Sequence, residues 1–153
     1  MEVDVITEID IASPRQRASA FAADPANATR WYANITSSKP LEPGPIELGS
    51  RIAFSAKFLG RRLDYTYEVV EYVPGERFVM RTADGPFAME TTYAWQDATA
   101  GGTTMTLRNR GRPSGFASIM APAMEAAMRR ANRKDLARLK AVLERDPGPA
   151  VPA

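Results

Sequence analysis

The chain has 153 residues, with 20 basic and 18 acidic side chains and a formal net charge of +2. That fits one domain with a sizeable core and gives no electrostatic case for nucleic acid. It contains no cysteine and no histidine, which removes disulfides, thiolate metal sites, Ser-His-Asp chemistry and the common histidine zinc sites.

The start, Met1-Glu2-Val3-Asp4, has neither the basic nor the apolar region of a signal peptide. No apolar run approaches the roughly 18 residues of a membrane span. A cytoplasmic protein with no integral membrane segment is expected. Val3, Val5, Thr7, Ile9 and Ile11 then alternate with Glu2, Asp4, Ile6, Glu8 and Asp10, which predicts a first strand with one acidic face. Ser13-Pro14 reads as a helix cap followed by proline at the first helical position, with a short helix to about Ala23. Asp24-Pro25 repeats the signal for a second short helix ending near Trp31-Tyr32. Lys39 to Gly49 is rich in proline and glycine and reads as loop.

From residue 50 the turns set a strand register. Gly60-Arg61 suits a two-residue hairpin, which puts Lys57 opposite Asp64, Phe54 opposite Tyr67, Ala56 opposite Tyr65 and Ile52 opposite Val69. Pro74-Gly75 puts Glu68 opposite Arg81 and Val69 opposite Met80. Asp84-Gly85 puts Met80 opposite Met89 and Phe78 opposite Thr91. Pairing Trp95 with Met105 puts Tyr93 opposite Leu107, Thr91 opposite Asn109 and Glu90 opposite Arg110. One face thus collects Lys57–Asp64, Glu68–Arg81 and Glu90–Arg110. Each such pair contributes only about 0.2–1 kcal/mol, but a slip of one residue would bury all six charges. This face is read as the outer one.

The inner face then carries Ile52, Phe54, Phe58, Leu63, Tyr65, Tyr67, Val69, Phe78, Met80, Phe87, Met89, Tyr93, Trp95, Met105 and Leu107. Its polar groups are few: Thr82, Thr91, Asn109, the tyrosine hydroxyls and Glu71. Thr91 and Asn109 either satisfy each other across strands or bond a guest. Tyr65 and Tyr67 are core aromatics whose hydroxyls can orient a guest. Glu71, the inward carboxylate of these strands, lies near the sheet rim and would become an acid or base only if buried.

Ser114 to Arg145 is the long helical stretch. Phe116, Met120, Met124 and Met128 recur at helical spacing, as do Leu136, Leu139 and Leu143. At about 100° per residue the two groups point in directions roughly a quarter-turn apart, with Asn132 where the stripe turns. The two halves are therefore expected to face different surroundings. Pro122 predicts a kink or fresh start near residues 118–122. The methionines form either ordinary core or a deformable cavity wall. Arg129, Arg130, Arg133, Lys134, Arg138 and Lys140 read as a solvated outer face.

The chain resembles the START-like, or SRPBCC, superfamily. The matching pieces are Ile9-Asp10-Ile11-Ala12-Ser13-Pro14, Asp24-Pro25 leading to Trp31-Tyr32, and Leu48-Gly49-Ser50-Arg51. Tyr67-Glu68-Val69-Val70-Glu71 with Pro74-Gly75-Glu76-Arg77, and Gly101-Gly102-Thr103-Thr104, complete the series. Closest is the polyketide cyclase/dehydrase and lipid-transport subgroup. The resemblance implies an α+β helix-grip fold: a seven-stranded curved antiparallel sheet around a long C-terminal helix, with two short helices after strand 1. Residues 1–145 would form this domain and 146–153 a disordered tail. Members bind hydrophobic guests under the long helix, and some catalyse cyclisation or dehydration. They share no single catalytic motif, so no catalytic residue is carried over.

The expected function is binding of a polyketide, lipid or isoprenoid type of molecule between sheet and helix, with no cofactor or metal. The alternative is a cyclase or dehydratase acting by substrate positioning. Phe54, Tyr65, Tyr67, Met80, Met89 and Tyr93 would form the wall, Thr91 and Asn109 the polar anchors, and Met120 and Met124 the lid. The expected partner is this hydrophobic ligand, without nucleic acid; homodimerisation is left open.

Overall fold

The computed structural model describes residues 2–58, 60–84, 88–112 and 121–145. Strand β1 (Val3–Ile11) leads into helix α1 (Arg15–Ala23), a 3-10 turn (Pro25–Asn27) and helix α2 (Ala28–Trp31). Strands β2 (Ile35–Pro40), β3 (Arg51–Phe58), β4 (Arg61–Val73), β5 (Arg77–Asp84), β6 (Ala88–Asp97) and β7 (Thr103–Arg112) follow, then helix α3 (Ala121–Arg145). The strands form one antiparallel sheet in the order β1-β7-β6-β5-β4-β3-β2. β1 thus sits beside the last strand, and β2 forms the other edge, where Pro40 is tolerated. Among the described residues no helix is long and apolar enough to cross a membrane. Leu59, Gly85, Phe87, Phe116, Met120 and the tail 146–153 lie outside the described residues.

The pleat follows the expected faces. Ile52, Phe54, Tyr67, Val69, Phe78, Met80, Tyr93, Trp95, Met105 and Leu107 are all buried, while Asp64, Glu68, Arg81 and Arg110 are exposed. The registers are only partly as expected. β6–β7 pairs Trp95 with Met105 and Thr91 with Asn109, and β4–β5 pairs Glu68 with Arg81 and Val69 with Met80. Two hairpins are displaced by two residues. Phe54 lies opposite Tyr65 and Lys57 opposite Arg62, while Phe78 lies opposite Tyr93 and Met80 opposite Thr91. A slide of two keeps every side chain on its face, because the strand period is two. The ion pairs change accordingly. Asp64 binds Ser55 and Arg62, Glu90 binds Arg81 at 3.0 Å, and Arg110 reaches Glu2.

Glu71 is a correction. The register shifts between Val69 and Glu71, leaving Val70 as the extra residue of a bulge. Beyond it the strand turns over. Glu71 is exposed and accepts from Arg77 Nε at 3.0 Å, while Tyr72 packs inward, edge-on to Phe78. Ser13 is a second correction: α1 begins after Pro14 with no side-chain cap. Ser13 is buried instead, its carbonyl accepting from the Thr103 hydroxyl. Asp24 does cap as expected, accepting from Ala26 N at 3.0 Å.

α3 lies across β1 and α2. Pro122 occupies its first described turn, where a missing N–H costs least. At the other end Arg17 Nη1 donates to Leu143 O and Glu144 accepts from Ala12 N, each at 3.0 Å. A cation on the terminal carbonyls suits the helix dipole. The two halves of the apolar stripe do face different surroundings. Leu136, Leu139 and Leu143 join the main core with Ile11, Trp31, Trp95 and Met105. Ala121, Met124 and Met128 form a second, smaller cluster with Val3 and Val5.

Candidate functional site

A cavity of about 130 Å³ opens where the first half of α3 crosses the sheet. Its sheet wall is Ala56, Leu63, Tyr65, Tyr67 and Met89, its helix wall Met124, Met128 and Ala131, and Tyr32 and Ile35 close one side. The exposed residues Asn34 and Lys57 stand at its edge. Alternation along β4 supplies the aromatic side: Tyr65 stacks on Phe54 (ring centroids 5.5 Å apart) and meets Tyr67 edge-on at 5.1 Å. An apolar lining with a few converging polar groups is the usual make-up of a small-molecule pocket.

The structure brings five of the expected site residues to this cavity: Tyr65, Tyr67, Met89, Asn109 and Met124. Phe54, Met80, Thr91 and Tyr93 are buried behind that wall and do not line it. Met120 lies outside the described residues.

Two polar groups of residues serve the cavity. On the sheet, the Thr91 hydroxyl donates to Asn109 Oδ1 at 2.8 Å. Its single proton is thereby used, so the Tyr67 hydroxyl, 3.0 Å away, donates to Thr91. Thr91 and Asn109 thus satisfy each other, and Thr91 acts behind Asn109 rather than in the cavity. Thr82, also on the wall, spends its hydroxyl on the Met89 backbone.

The second group joins Tyr93 of β6, an expected site residue, to Tyr32 at the end of α2 and Asp135 of α3, which the sequence had not singled out as site residues. The Tyr32 and Tyr93 hydroxyls lie 2.6 Å apart. Asp135, only 3 % exposed, lines the cavity and accepts from Ala33 N at 3.0 Å. Burial pushes its carboxyl from the ordinary 3.8 up to about 6, against the opposing pull of the Ala33 N–H and the Arg138 charge. Burial likewise pushes the Tyr67 hydroxyl up to about 12 and those of Tyr32, Tyr65 and Tyr93 upward. All four stay protonated at neutral pH and act as hydrogen-bonding groups, not phenolates. The missed signal for Asp135 is its spacing. It lies seven residues after Met128, three after Asn132 and four before Leu139, on the apolar stripe itself.

Among the described residues no group of three or more acidic side chains is placed to hold a metal ion. The arrangement can enclose a small apolar body, offer amide and hydroxyl hydrogen bonds, and expose it to one carboxyl group.

Several solved structures share this architecture. Protein TTHA0849 from Thermus thermophilus superposes with a TM-score of 0.80 at 17% identity, covering 93% of this chain and 97% of its own. The Zhui aromatase/cyclase from Streptomyces sp. R1128 gives 0.79 at 18% identity, covering 95% of each chain. A START superfamily protein from Mycobacterium smegmatis gives 0.78 at 11% identity, covering 94% and 98%. At these identities the likeness is one of fold. No curated protein matches the chain by sequence. The family described as polyketide cyclase / dehydrase and lipid transport matches residues 2–144, nearly the full length, and the chain belongs to that family.

Proposed function

We propose that the protein binds a hydrophobic or aromatic small molecule, without covalent chemistry, in the cavity between the sheet and α3. The observation that carries this reading is the hollow itself: the wall of tyrosine, leucine and methionine stays unfilled although the same helix packs tightly one turn further on. Tyr65, Tyr67 and Met89 form the wall, Asn109 is the anchor on the sheet, and Met128 joins Met124 in the lid. Phe54, Met80, Thr91 and Tyr93 support these groups from behind. Flexible thioethers let the wall adapt to guests of different outline. On this reading the protein works in the cytoplasm on a free ligand of the polyketide, lipid or isoprenoid kind. The test is a dye-displacement titration of delipidated protein with a panel of lipids and aromatics. Saturable displacement is expected, and its absence across the panel would overturn the reading.

One observation favours a second reading, a cyclase or dehydratase that positions its substrate. Asp135 is a buried carboxyl whose burial raises its pKa to about 6, at the cavity wall beside Tyr32. Such a group suits general acid–base work, and enclosure of a folded chain supplies proximity. Proton transfer falls to Asp135 here, since Glu71 is bound to Arg77 on the surface. Asp135→Asn would then abolish turnover of a poly-β-ketone while leaving its binding intact. Equal turnover in the variant would remove Asp135 from the mechanism.

A further inference from the structure

Asn132 stands on the helix wall of the cavity, 6 % exposed, and its amide nitrogen is buried without a hydrogen-bond partner among the described residues. A buried donor left unpaired is costly, and such a group in a cavity wall calls for an acceptor. Across the cavity Asn109 Oδ1 is engaged by Thr91, so the amide nitrogen is the end that remains to donate. Each wall therefore carries an amide whose N–H is taken up by no described residue. The charge they surround is negative: Asp135 lies one turn along α3 from Asn132, and Lys57, the cation among the described lining residues, is exposed at the edge. A buried carboxylate beside Asp135 would lack a desolvated counter-charge.

Size narrows the guest further. Cavities of about 150 Å³ accept a benzene molecule, close to the 130 Å³ found here. Resting on the binding function proposed above, we infer that the site selects a guest whose enclosed end is an uncharged group of about one ring bearing a carbonyl or comparable acceptor oxygen, the rest of a longer molecule leaving past Asn34 and Lys57. Asn132 Nδ2 donates to that oxygen. The site discriminates against the matching carboxylate. Asn132 is the specificity-determining residue, and Asp135 sets the charge preference.

The test uses three ligands of nearly one shape, acetophenone, ethylbenzene and benzoate, titrated calorimetrically into the full chain at pH 8. Acetophenone should bind about tenfold tighter than ethylbenzene, the worth of one buried hydrogen bond, and benzoate should bind weakest. In Asn132→Leu the advantage of acetophenone over ethylbenzene should vanish while ethylbenzene binding persists, which also reports that the variant is folded. In Asp135→Asn benzoate should gain at least severalfold on acetophenone. Ethylbenzene matching acetophenone in the native protein, an advantage that survives Asn132→Leu, or benzoate binding best would each overturn the inference while leaving hydrophobic binding intact. Failure of all three ligands, together with failure of the dye-displacement panel, would overturn the binding function itself.

Discussion

The two ends of α3 meet the same sheet and do opposite things. Toward its C-terminus Leu136, Leu139 and Leu143 are sealed against Ile11, Trp31, Trp95 and Met105. Toward its N-terminus Met124, Met128 and Ala131 stand around a hollow, with Asn132 and Asp135 at the boundary. Branched leucines interlocked with large rings hold the helix in place. Methionines, an alanine and two polar side chains give up packing, and in exchange provide a deformable wall with directional groups. Stability and recognition are thus assigned to different turns of one helix.

Truncation should separate the two ends most sharply. Leu139→Ala removes a fully buried side chain and should cost about 2–5 kcal/mol in denaturant unfolding. Met128→Ala loses contacts with Val3 and Val5 but otherwise enlarges an existing space, and should cost about 2 kcal/mol, the low end of that range. Equal losses would erase the distinction between packed and hollow ends. The next effect has the opposite sign. The Asp135 carboxyl holds its proton more tightly in the fold than the ordinary 3.8. Its ionised form is therefore the unfavourable one, and stability is lost as pH rises from there through about 6. Asp135→Asn keeps an oxygen for Ala33 N and should stabilise the protein at pH 8 by at most about 3 kcal/mol. The gain should shrink as pH falls below 6, and a pH-independent gain would contradict the assignment. Filling the hollow with Ala131→Leu should weaken guest binding by about tenfold, about 1.4 kcal/mol, with stability unchanged or raised. Binding that survives the added side chain would place the guest elsewhere.

The smallest effect belongs to the outer face. Arg108 holds Asp4 through two hydrogen bonds, of 2.9 and 2.7 Å, chiefly through which its carboxyl is kept below the usual range. The pair is over a third exposed, so Asp4→Asn should cost less than about 1 kcal/mol at neutral pH. That difference should fade as pH drops through the ordinary carboxylate range and below it, where the native side chain is protonated too.

The faces of the sheet were legible in the sequence because alternation survives a slide of two residues. That is why Tyr65 and Met89 point inward even though their partners across the hairpins differ from those the turns suggested. Turn chemistry at Gly60 and Gly85 could not fix which residues close the loop. The bulge at Val70 had no signature beyond two adjacent valines, and it reversed Glu71 and Tyr72. The division of α3 was legible from the turn of its stripe at Asn132. The polar group at Asp135 was readable as a carboxylate on an apolar stripe. Its pairing with the α2 end depends on Ala33 and Tyr32, about 100 residues away, which periodicity along one helix does not reveal.

The most direct measurement is a methyl NMR titration of the full chain with acetophenone. Saturable shifts of the Met89, Met124 and Met128 methyls, with those of Leu136, Leu139 and Leu143 unmoved, are predicted. Shifts confined to the leucines, or no saturable shift at any of these methyls, would contradict a guest site at the hollow end of the helix.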